Sequence, residues 1–268
     1  MSSASARFAQ AGQATFLVHL AKTMCALAPA LAASGTPRLP AATPHALALV
    51  HGLLDLAGTP PSAAGLGYLA SAFAWLVLTP LLSQLWLSAM TSAAPLGEHA
   101  RRSAARYGPA LGLAIAGVGF PCVLLAVGVV ACTGVQAALA FTHDERLRDL
   151  CAGAASLPFI ALGLYGLTFH DVASARLALG SPGLRPSLVA GLHFTTLRHV
   201  VTRSTIGACT LLLAALGLLL PRLWLGASDS AVLVCGQCIA LAVTLLRARW
   251  LAGLVARLSR DIRSSTAG

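Results

Sequence analysis

Eight acidic residues, eight histidines and seven cysteines are the side chains through which this 268-residue chain could hold a metal or move a proton. The acids are Asp55, Glu98, Asp144, Glu145, Asp149, Asp171, Asp229 and Asp261, and each stands at or beyond the end of an apolar run. A charge within a bilayer is expensive and is kept where it serves a purpose, so this placement argues against a proton or sodium relay through buried carboxylates. It argues equally against paired-acid catalysis and Asp-rich metal sites. Cys235 and Cys238 put two thiols on one face of a helix. A redox or metal role would need further converging ligands, and thiolates disfavour an apolar setting, so the pair reads as small residues at a helix contact. His19, His170, His193 and His199 lie near the ends of apolar runs without a pair spaced to clasp haem. A Walker-type phosphate loop and a nucleophile elbow are both absent. No cofactor, metal or catalytic residue is expected. What remains is a set of charges after the fourth apolar run: Asp171, Arg176, Arg198 and Arg203. They could meet a partner protein or a lipid phosphate; ordinary charge placement anchoring a helix end at the interface accounts for them as well.

The elements that must position these residues are set by hydropathy. From Tyr107 to Thr142 there is no Asp, Glu, Lys, Arg or His, with Arg101, Arg102 and Arg106 just before and His143 and Asp144 just after. A helix of roughly 20 apolar residues spans the ~30 Å hydrocarbon core, and this stretch exceeds that. Across the chain 57% of residues are hydrophobic and 10% charged, with a mean hydropathy of +0.80. Soluble domains carry about 25% charge. One integral membrane domain, 1–268, is the simplest count. Six spans are expected, at about 15–34, 65–89, 108–132, 152–170, 204–220 and 230–246.

His19 and Lys22 interrupt the first span. A cleaved signal peptide competes with a retained helix there, because Ala30-Leu31-Ala32 resembles a small-x-small cleavage site. Lys22 in the middle of the apolar run favours the retained helix, with its ammonium snorkelling or turned to the bundle interior. Pro37, Pro40, Pro44, Pro60 and Pro61 exclude a long helix from 35–64. Thr43-Pro44 can start a short one whose Leu47, Val50, Leu53 and Leu54 share a face, either lying in the interface or packed on the bundle. Leu251, Leu254, Val255 and Leu258 make an amphipathic C-terminal extension of the last span. Gly108-x-x-x-Gly112 permits close helix approach. The expected fold class is an all-α polytopic transmembrane helix bundle.

Eighteen basic against eight acidic residues give a net charge of +10. No basic face is interleaved with aromatics in the way nucleic-acid binding requires, so no nucleic acid is expected as a partner. With both termini in the cytoplasm, the inner segments hold thirteen Arg and the outer ones four, a bias that orients the chain by the positive-inside rule. Arg supplies all the basic residues except Lys22, in an Ala/Leu/Gly-rich chain. That composition is what a GC-rich genome imposes, and it points to a bacterial cytoplasmic membrane. Cys25, Cys122, Cys132, Cys209, Cys235 and Cys238 lie inside apolar runs, unlike the disulfide framework of a small secreted fold.

The stretch His170-Asp171-Val172-Ala173-Ser174-Ala175-Arg176-Leu177-Ala178-Leu179 carries the pattern Asp-x-Ala-x-x-Arg-x-x-Leu at the end of the fourth span. Arg185, Leu188, Leu192, Phe194, Leu197, Arg198 and Arg203 continue it as a cytoplasmic amphipathic stretch and a basic turn. Over about 165–215 the chain resembles uncharacterised six-helix bacterial membrane proteins related to the membrane domain of glycerophosphodiester phosphodiesterases. The resemblance implies the six-helix architecture. It implies no activity, because the phosphodiesterase catalytic domain has no counterpart in these residues.

The expected role is that of a non-enzymatic integral membrane protein, a subunit or accessory component of a membrane protein complex, whose partners are the lipid bilayer and other membrane subunits. The alternative is a permease subunit whose segments 90–107 and 171–203 couple to a separate cytoplasmic ATPase. The basic segments also predict attraction to anionic lipid, worth about 1 kcal/mol per well-placed Arg.

Overall fold

The computed structural model describes residue 8 and residues 11–34, 63–142, 144–223 and 229–266. The short helix expected near Thr43-Pro44 lies outside the described residues. Those that are described form eight helices: α1 Gly12–Ser34, α2 Ala63–Ala89, α3 Leu96–Ala105, α4 Tyr107–Ala138, α5 Glu145–Ala178, α6 Leu184–Phe194, α7 Leu197–Leu223 and α8 Asp229–Thr266. Each of the six apolar segments falls within one long helix. Three helical stretches are long and apolar enough to cross a membrane: Tyr107–Ala138, Glu145–Ala178 and Val234–Arg263.

Local sequence sets the helix ends. The Asp144 carboxylate caps α5, accepting from the backbone N–H groups of Arg146 at 3.0 Å and Leu147 at 3.2 Å. Glu145 in the first turn and Arg176 in the last complement the helix dipole. At the other end Gly180 takes φ +110°, and Ser181 N–H returns to the Arg176 carbonyl at 3.1 Å while Gly180 N–H reaches that of Leu177 at 3.2 Å. This is the Schellman closure that a left-handed glycine allows. The helix therefore outruns its apolar stretch by two turns, because Ala173, Ala175, Leu177 and Ala178 keep it going after the hydrophobic run stops. Asp171 lies inside a helix, not beyond one.

The long helices alternate in direction, and the buried core gathers at one end of the bundle. It is built from Ala11, Ala14 and Val18, from Trp86, Leu87 and Met90, from Val172, Ala175 and Ala178, and from Ala248 to Leu258. The stripe Leu251, Leu254, Val255 and Leu258 is buried along α8, as its helical spacing predicts. Polar side chains stitch the same end. Trp86 Nε1 donates to Thr15 Oγ1 at 2.8 Å, Gln84 Nε2 to the Ser174 carbonyl at 3.3 Å, and Arg106 Nη1 to the Ala178 carbonyl at 2.8 Å. The start of α1, the end of α2, α3, the start of α4, the end of α5, α6, the start of α7 and the last turns of α8 therefore share one end. It is rich in Arg.

Beyond this end α4 and α5 run on together. Gly117 and Gly166 permit their approach: a Cβ on Gly117 would stand 2.3 Å from His170 Cδ2, and one on Gly166 would stand 2.6 Å from Phe120 Cδ1. The close contact thus falls further along α4 than Gly108-x-x-x-Gly112. Gly108 faces open space and Gly112 meets Leu184 of α6.

Candidate functional site

Asp171 is the buried carboxylate among the described residues, and three helices converge on it. On α5 it shares a face with Ala175 and Ala178, both buried. On α7, Arg203 Nε donates to Asp171 Oδ2 at 3.1 Å. On α8, Arg247 Nη1 donates to Oδ2 at 2.8 Å, its Nη2 donates to Oδ1, and Trp250 Nε1 donates to Oδ2 at 2.9 Å. His170 Nδ1 stands 3.8 Å from Oδ1. The Asp171 side chain is 3% exposed, against 18% for Arg203 and 27% for Arg247.

The fork of Arg247 matches the two oxygens of the carboxylate, a geometry that Lys could not supply. With Arg203 and Trp250 added, Oδ2 accepts three hydrogen bonds and Oδ1 accepts one. Such a carboxylate makes a poor general base. It holds α5, α7 and α8 in register, and removing it would leave two cations facing each other.

A second polar layer lies next to it, between α1, α2 and α8. Lys22 stands over the rings of Trp75 and Trp86, 5.4 Å and 5.5 Å from their centroids, so it is turned into the bundle. His19 Nδ1 pairs with Thr244 Oγ1 at 3.4 Å, and Thr23 Oγ1 donates to Gln237 Oε1 at 3.3 Å.

Of the four charges singled out in the sequence, the structure joins Asp171 and Arg203 to each other. Arg176 lies elsewhere, its guanidinium 4.8 Å from the Phe194 ring centroid, with Nε and Nη1 buried and without a hydrogen-bond partner. Arg198 is exposed at the start of α7. There His199 is buried, its Nδ1 3.1 Å from the Phe194 carbonyl oxygen and 3.1 Å from Thr196 Oγ1. Burial, and after it the positive charge of Arg257, pushes the His199 pKa down, against an opposing pull from the Phe194 carbonyl. On α3, His99 is buried 3.0 Å from Ser88 Oγ, and burial together with Arg102 lowers its pKa too.

Arg247 and Trp250 complete the Asp171 cluster beyond the four charges singled out in the sequence. Their signal was present: they stand three apart and open the apolar stripe that continues through Leu251, Leu254 and Leu258. An arginine leading a buried stripe needs an internal partner. Cys235 and Cys238 are free thiols, the first half-buried and the second exposed. Among the described residues no group of three or more His, Cys, Asp or Glu is placed to hold a metal ion. Compared with known proteins, the chain matches no family model, no curated protein and no solved structure.

Proposed function

We propose that this chain is a non-enzymatic integral membrane component of a larger membrane protein assembly. The observation that carries the reading is the α4–α5 hairpin. Only 13% of the apolar window of α4 and 11% of that of α5 is buried within the chain, against 44% for α8. Phe120, Val123, Val127 and Val130 on α4 and Leu157, Ile160 and Leu162 on α5 are exposed. The anchored end of the hairpin packs into the polar-stitched core while its far half leans on little but itself. A packed foot with an unpacked arm suits a chain that inserts the arm among other membrane helices. The non-enzymatic part of the reading rests on Asp171, whose oxygens are committed to Arg203, Arg247 and Trp250.

In this reading six helices span a bacterial cytoplasmic membrane with both termini inside. Support comes from the antiparallel packing, which brings twelve of the described Arg residues, those of 90–107, 171–203 and 247–263, to one end. A second reading, a permease subunit working with a separate ATPase, is favoured by α3 and α6. These short helices fall within the two segments where coupling helices would be expected.

The test is affinity purification of the tagged chain from its native membrane in mild detergent, with identification of what accompanies it. Stoichiometric membrane proteins are expected. A cytoplasmic ATPase would transfer the assignment to the permease, and recovery of the chain alone would overturn both readings.

A further inference from the structure

At the Arg-rich end an open groove of about 700 Å³ runs between the start of α7 and the last turns of α8, lined by Thr196, Arg198, His199, Arg257, Arg260 and Asp261. We propose that this groove binds a phosphate group, carried by an acidic phospholipid headgroup or by a soluble phosphate compound. The inference is independent of the assembly role.

Three arginines and one acid line the groove, Arg198 on α7 and Arg257, Arg260 and Asp261 on α8. Among the described residues no ion pair joins Arg198, Arg257 or Arg260 to a carboxylate, whereas Arg203 and Arg247 have Asp171 and Arg102 has Glu98. Like charges gathered without internal partners are held at a cost that a bound anion removes, and planar guanidinium forks suit phosphate oxygens in particular. The groove wall is also fixed in shape. His199 bonds the Phe194 carbonyl oxygen and Thr196 Oγ1, each at 3.1 Å, which sets the α6–α7 connection. The His199 ring then packs edge-on to Trp250, with centroids 6.3 Å apart, and so ties the wall to the Asp171 cluster. Thr196, just before α7, adds its side chain to the groove wall. Arg198 precedes Arg203 by five residues, which places it about 7–8 Å further out along the helix axis. That is the depth of a headgroup layer if Arg203 marks the edge of the apolar run.

The test uses the full chain in detergent, titrated with dioctanoyl phosphatidic acid, with dioctanoyl phosphatidylcholine and with inorganic phosphate, and followed by native mass spectrometry. The groove variant carries R198Q, R257Q and R260Q. The control carries R101Q, R185Q and R249Q, which removes equal charge from exposed positions at the same end. Phosphatidic acid is expected to bind more tightly than phosphatidylcholine, with affinity reduced ten-fold or more in the groove variant and three-fold or less in the control. Competition by millimolar inorganic phosphate would support the site and point to a soluble source, and retention of the lipid at that concentration would support it and point to the headgroup. Because Arg257 is half-buried, R198Q alone provides a variant at an exposed position, and it should lower affinity at unchanged thermal stability. Equal losses in groove and control variants, or no selectivity for the acidic lipid together with no phosphate binding, would overturn the proposal.

Discussion

At the residue scale, the energetics centre on Asp171. Replacing it with Asn removes the charge that balances Arg203 and Arg247 and should destabilise the fold by about 3–5 kcal/mol, the cost of breaking a buried ion pair from one side. Arg247→Met should cost less in the Asp171→Asn background than in the native chain. A double-mutant cycle followed by thermal unfolding in detergent measures the difference, and simple additivity would show that the two groups do not act as a unit. Trp250→Phe keeps an aromatic side chain, though a smaller one, and loses the charge-assisted hydrogen bond to Asp171, a loss of about 1.5–3 kcal/mol.

Histidine sets the pH response at the same scale. His99 and His199 have pKa values pushed below the ordinary 6.5, mainly by burial and further by the positive charges of Arg102 for the first and of Arg257 and Arg198 for the second, against opposing pulls from Glu98 and Asp261. The unfolded chain therefore binds protons more readily than the fold. Their contribution to stability is complete above the unfolded value and is lost as pH falls through it towards the lower folded values. The melting temperature in detergent should be flat between pH 8 and 7 and should drop below pH 6.5. His99→Gln should shallow that drop. An identical acid profile in the variant would show that His99 carries none of it.

At the element scale, the α4–α5 hairpin depends on glycine where the helices touch. Gly117→Ala would place Cβ 2.8 Å from His170 Cγ, close to where that ring joins its backbone, so the ring cannot swing clear as a side-chain tip could. A cost of about 1–3 kcal/mol is expected, the usual penalty for overpacking. Gly163→Ala on α5 faces open space and should be neutral or slightly stabilising, since alanine is the better helix former. Thermal unfolding of the two variants side by side separates contact from propensity; equal effects would contradict the assigned helix faces.

This is also the scale at which the sequence is most legible. Apolar stretches locate the long helices, because a membrane leaves little choice of structure for twenty apolar residues. The buried stripe from Leu251 to Leu258 follows from spacing alone. The end of α5 does not, because hydropathy marks where an apolar run stops and says nothing of where an alanine-rich helix stops. Asp171 consequently reads from sequence as a surface charge when it is 2% exposed. Its pairing with Arg203 and Arg247 joins residues 32 and 76 positions apart, and no local pattern encodes such separations.

At the scale of the whole molecule, the bundle is asymmetric. One end is Arg-rich, stitched by hydrogen bonds and closely packed, and the hairpin that extends from it is apolar and largely uncovered. This asymmetry predicts an orientation. Reporter fusions placed after residue 94, after residue 181 and at the C-terminus should all report cytoplasm, and one placed after Thr142 should report the opposite side. Any reversal among them would contradict the proposed six-span topology.

If the uncovered hairpin seats the chain among other membrane proteins, purification from the native membrane in mild detergent will recover those proteins with it. The prediction is recovery at fixed stoichiometry with other integral membrane chains, lost when Val123, Val127, Leu157 and Ile160 are replaced together by Ser while thermal stability holds. Recovery of the native chain free of other proteins would contradict it.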